Sequence, residues 1–106
     1  MSTTWRRFEV LLPLNFNDGR EVPDELLAEA VLEVRTRFNA VRYESRRMEG
    51  QWEEGGTLYK DELSCLVVDV PDTARNRKWM KQFKARWRER LQLVELWMVS
   101  YRVDIE

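Results

Sequence analysis

Four side chains could together hold and deprotonate a small substrate: Tyr43, Glu44, Glu62 and Arg102. A carboxylate in an apolar pocket has a raised pKa suited to general-base work, and Tyr or Arg can hold an oxyanion. No spacing in the chain enforces such a site, and the same residues read equally as cross-strand pairs on a solvated face. The chain has no His. That excludes His-based acid–base catalysis, Ser-His and Cys-His nucleophile pairs and the usual zinc sites. EF-hand spacing and a phosphate loop are also missing, so neither a metal nor a cofactor is expected. The single cysteine, Cys65, lies in the apolar run Leu63–Val68 and is expected to be a buried thiol.

A second chemistry is anion binding. Between Arg75 and Arg90 stand eight cations and one anion, Glu89, a local charge of +7, so the rest of this −1 chain carries −8. Arg77, Lys81, Lys84 and Arg88 form one row beside an apolar stripe, and Arg75, Arg86 and Arg90 form another across it. Such rows could contact phosphates, with Trp79 available to stack on a base. An acidic protein is another partner they would fit. Charge runs have bland readings too: long stems covering apolar surface, or a basic helix lying beside the acidic first helix. An overall pI of 5.6 and the lack of the Lys/Arg-Gly-Phe/Tyr signature on the third strand weigh against RNA.

Aromatic residues supply a third possibility. Five Trp, three Tyr and four Phe are more than one small helix–sheet core needs, and a surplus of aromatics marks an interface. Trp52 and Trp97 are the interface candidates, and a homodimer with two sheets face to face is expected, in the manner of an α+β barrel. The bland reading is a monomer with scattered exposed aromatics.

The elements that must position these residues follow from periodicity. Phe8, Val10, Leu12 and Leu14 alternate within Trp5–Leu14, a strand ended by Pro13 and by the turn Asn15–Arg20. Pro23, Asp24 and Glu25 open a helix, on which Leu27, Val31, Val34 and Phe38 form one stripe that Asn39 closes. Val41–Glu49 reads as a half-solvated strand, 50–56 as a glycine-bearing loop and Thr57–Val70 as a central strand, apolar on both faces. A basic helix then runs from an N-cap at Asp72, or equally Thr73, to Leu91, with Met80, Phe83, Trp87 and Leu91 in one stripe of about 80°. Val94–Ile105 is the last strand. The chain of 106 residues is one domain by length. The order β-α-β-β-α-β predicts an α+β, ferredoxin-like fold: a four-stranded antiparallel sheet ordered 4-1-3-2 with both helices on one face.

The residues Gly19, Val22, Arg37-Phe38, Gly50-Gln51-Trp52, Glu62 and Ser64 resemble a small bacterial family of unknown function with the same ferredoxin-like layout. The likeness covers roughly residues 10–70; the basic helix lies outside it. The resemblance implies a fold rather than an activity, and ferredoxin-like folds serve as dimeric barrels, ligand-binding regulators and RNA-binding domains.

The stretch MSTTWRRFEV lacks the apolar core of a signal peptide, and no apolar run approaches the ~20 residues of a membrane span. The expectation is a small cytoplasmic protein acting as an oligomeric binding or regulatory module. The alternatives are anion binding through 72–91 and a dimeric barrel enzyme with a carboxylate base.

Overall fold

The computed structural model describes residues 3–106, the Arg46 side chain excepted. In chain order the elements are β1 (Trp5–Pro13), α1 (Asp24–Phe38), β2 (Arg42–Glu54), β3 (Thr57–Pro71), α2 (Ala74–Arg90) and β4 (Met98–Val103). The strands form one antiparallel sheet in the order β2-β3-β1-β4. β1 is the hinge of the architecture. It pairs with β3 from Trp5↔Pro71 to Pro13↔Leu63, and with β4 from Trp5↔Val103 to Val10↔Met98. A separate antiparallel bridge, Asn15↔Glu21, closes the β1–α1 connection.

Alternation in the strands decides the layering. Phe8, Val10 and Leu12 of β1 and Leu66, Val68 and Val70 of β3 are buried, together with Leu27, Ala30 and Val34 of α1 and Met80, Phe83 and Trp87 of α2. Both helices therefore share one core on one face of the sheet. The α2 stripe read from the sequence, with Leu91 just beyond the helix, is buried as a whole. On α1, Leu27 and Val34 are buried, while Val31 and Phe38 pack at the margin; Ala30, too small to register as part of a stripe, sits at the close approach.

The helix ends have simple causes. Asn39 adopts the left-handed conformation (φ 67°) and its N–H donates to the Arg35 carbonyl, closing α1. Thr73 caps α2: its backbone is extended and its hydroxyl oxygen accepts the Asn76 N–H at 3.1 Å. Asp72, one of the two candidate caps, points instead into a cluster of arginines.

Three sequence expectations are corrected. β2 does not end at Glu49 with a loop over 50–56. It pairs with β3 through Glu54↔Thr57, and only Gly55 and Gly56 (φ 59° and 81°) make the turn. Gly50 is a strand residue there: a Cβ would stand 3.1 Å from Leu63 Cδ1, so the glycine marks a close approach and not a loop. β4 is shorter than Val94–Ile105, because Val94 and Ile105 lie outside the ladder and are exposed. Cys65 is half-buried, not buried, because β3 turns its odd-numbered residues away from the helices.

Candidate functional site

Strand register sorts the polar and aromatic side chains onto two faces. Odd residues of β1 and β3 face away from the helices. Opposite them stand Arg42 and Glu44 of β2 and Val99, Tyr101 and Val103 of β4. A register shift between Glu44 and Met48 then sets Met48, Gly50 and Trp52 opposite Leu63, Asp61 and Tyr59, on the same open face. Trp97 accepts the Leu11 N–H on its carbonyl at 3.0 Å, which extends the β4 row by one aromatic. Both tryptophans singled out in the sequence thus border this face, Trp52 at 46% and Trp97 at 63% exposure. Trp52 stacks on Tyr59 with centroids 4.1 Å apart, and its indole N–H donates to Asp61 at 3.0 Å.

The centre of the open face is chemically mixed. Arg7 donates twice to Asp69, at 2.7 and 3.0 Å, and Arg42 adds a third bond at 3.2 Å. The Arg7 hydrogen bond holds the Asp69 carboxyl below its usual range. The Tyr101 hydroxyl donates to Glu9 at 2.7 Å, and this bond raises the phenol's pKa. Desolvation, then the charges of Glu9 and Glu44, push the Cys65 thiol up. A thiol kept protonated by burial and by nearby negative charge is a poor nucleophile. What the face offers instead is carboxylates set among apolar and aromatic groups.

The four residues first read as an acid–base set do not converge. The Tyr43 hydroxyl donates to Ser64 at 2.8 Å on the helix side, and the Ser64 hydroxyl donates to the Leu12 carbonyl at 3.3 Å. Glu44 lies on the opposite face. Glu62 pairs with Arg47, and Arg102 bonds Asp72. Adjacent strand residues point to opposite faces, so Tyr43 and Glu44 lie on different sides of the sheet. Glu9 and Tyr101 are the pair that the sequence did not single out. Their signal was an acid alternating with apolar residues in β1.

The basic helix is partly neutralised from within. Arg90 binds Glu29 through both terminal nitrogens at 2.7 and 2.9 Å, Arg86 binds Glu33, and Lys84 binds Glu95 at 3.0 Å. Arg77 binds Asp72. Arg88 acts on Glu95 through charge alone. Arg75, Lys78 and Lys81 have no ion pair among the described residues. Trp79 is half-buried: it lies parallel to Phe83 at 5.7 Å, meets Phe38 edge-on at 5.2 Å and takes Arg86 over its ring at 5.7 Å. Among the described residues no group of His, Cys, Asp or Glu could hold a metal ion, and no helix is long and apolar enough to cross a membrane.

No protein-family profile and no curated protein matches this chain. Solved structures do. A phage SAM lyase in complex with S-methyl-5′-thioadenosine superposes with a TM-score of 0.69 at 11% identity, covering 100% of this chain and 94% of that one. CutA1 from Oryza sativa gives 0.68 at 8% identity, covering 99% and 84%. At such identities the likeness shows a shared α+β fold and nothing of activity.

Proposed function

We propose that this chain is a small homo-oligomeric binding or regulatory module whose subunits pack through the open face of the sheet. One observation carries the reading. Of the ten exposed large hydrophobic residues among the described ones, six (Met48, Trp52, Tyr59, Trp97, Val99 and Tyr101) belong to that face or its margin. Exposed apolar surface gathered on one side of a domain marks an interaction surface. The polar groups at its centre are already paired with one another, which lowers the cost of covering them. In solution the protein is expected to be a dimer or larger by light scattering. Trp97→Glu should shift it to monomer with its circular dichroism unchanged, and Trp52→Glu should weaken it. A monomeric wild type, or two variants that assemble like the wild type, would rule out this face.

A second reading is favoured by Glu9 and Glu44, which flank Cys65 at the centre of the same face. Enclosed between subunits, these carboxylates would suit a cationic ligand or act as a base. The phage lyase neighbour acts on SAM, a sulfonium cation, so SAM is the first substrate to offer. Release of S-methyl-5′-thioadenosine, lost in Glu9→Gln, is the expected outcome. No product from the assembled wild type would remove this reading and leave the first intact.

A further inference from the structure

The two ends of the molecule carry opposite and unanswered charge. At one end Asp72, with a side chain only 2% exposed, accepts from three guanidiniums: Arg6 Nε at 3.0 Å, Arg77 and Arg102 Nε at 3.3 Å. Three cations share one anion, a local excess of two positive charges. Arg102 is 72% exposed, so much of that excess faces solvent on edge strand β4. At the other end, β2 and β3 run past the sheet. The β1 ladder meets β3 from Leu63 onward and the Leu14 N–H donates to the Glu62 carbonyl at 2.9 Å, so Thr57–Asp61 and the facing part of β2 form a two-stranded arm about 17 Å long. Residues 48–62 hold five acids and one lysine, a net charge of −4. Asp61 and Glu62 are engaged by Trp52 and Arg47, but Glu53 and Glu54, at the turn, have no ion pair among the described residues.

These charges cannot meet within one chain. β3 runs all fifteen residues from the turn to Pro71, just before Asp72. That is about 50 Å of extended strand, and the molecule's long dimension is 51 Å. A second copy laid antiparallel along that dimension brings each tip to the end of the other that carries the arginine corner, where Arg102 is exposed on edge strand β4, and two-fold symmetry makes the contact twice. The arm also presents Met48, Trp52 and Tyr59 on one face, apolar surface that such a neighbour would cover.

We infer that the arm is an intersubunit clasp, with Glu53 and Glu54 of one copy docked on the Arg6–Arg77–Arg102 corner of the next. The inference rests on the homo-oligomer reading and adds the direction and register of the contact. Self-association is measured by analytical ultracentrifugation at about 50 mM and about 500 mM NaCl, a range over which the Debye length falls severalfold. Glu53→Lys with Glu54→Lys, at an exposed turn, should weaken association about tenfold at low salt and reverse its salt dependence, because like charges then face each other. Arg102→Glu, which leaves the corner without excess charge, should also weaken association at low salt and erase most of its salt dependence. Mixing the two variants should restore association in part, since in the mixed pair one wild-type tip meets one wild-type corner and the lysine tip faces a corner with no excess positive charge. A tip variant that associates like the wild type at both salts overturns the clasp while leaving sheet-face packing standing, as does a loss that mixing fails to repair even in part. A wild type that is monomeric throughout overturns both.

Discussion

Asp72 shows how one side chain fixes the meeting point of three elements. It ties Arg6 of β1, Arg102 of β4 and Arg77 of α2, and the Arg6 bond, with Arg77 behind it, lowers its pKa to about 2 from an ordinary 3.8. A carboxylate depressed on folding contributes stability above its unfolded value, and that contribution is lost as pH falls through the folded one. The wild type should therefore melt at progressively lower temperature between about pH 4 and about pH 2. Asp72→Asn should melt lower than wild type at pH 7 and lose less over the same acid range, as followed by circular dichroism. Parallel acid profiles for the two proteins would mean that the cluster adds no stability. Thr73 has a narrower task. Its hydroxyl satisfies one free N–H of α2, so Thr73→Ala should cost about 1 kcal/mol in urea unfolding while Thr73→Ser costs little.

At the scale of elements, α2 is held by its apolar stripe and oriented by its charges. Trp87 is buried, and its indole N–H donates to Glu33 at 2.9 Å, so α2 is both packed and bonded to α1. Trp87→Ala should destabilise by about 3–5 kcal/mol, the range for emptying a buried aromatic site. The arm depends on its turn instead. Gly55 and Gly56 both have positive φ, the requirement of the tight two-residue hairpin. Gly56→Val, a β-branched residue at φ 81°, should fray the arm and speed hydrogen exchange at Gln51–Tyr59 while leaving α1 and α2 protected. Protection lost evenly across the chain would instead make the arm part of the global folding unit.

For the whole molecule, the unequal sides of the sheet are the governing feature. One side holds the helices and the core; the other carries Trp97, Val99 and Tyr101 together with an overhanging arm. If copies cover that face, melting must depend on protein concentration, because association stabilises by mass action. A melting temperature that rises with concentration in the wild type and stays flat in Trp97→Glu is the expected result.

Much of this was legible in the sequence, where local signals carry the information. The stripe Met80–Phe83–Trp87 and the strand alternation of Phe8, Val10 and Leu12 depend only on the periods of helix and strand, and Asn39 on its ease in the left-handed conformation, so they placed the elements, and the succession of elements with right-handed crossovers gave the strand order. Register was not legible. Hydrogen bonding across β2 and β3 turned the glycines at 50–56 from a loop into an arm, and the shift between Glu44 and Met48 chose which face the arm's aromatics share. Pairing across sequence distance also dispersed the set Tyr43, Glu44, Glu62 and Arg102 and brought Glu9 to Tyr101, 92 residues away. The chain's own periodicity determined which residues sit in the core. Contacts between distant segments, which no local pattern encodes, decided which polar groups meet and where the unmatched charge remains.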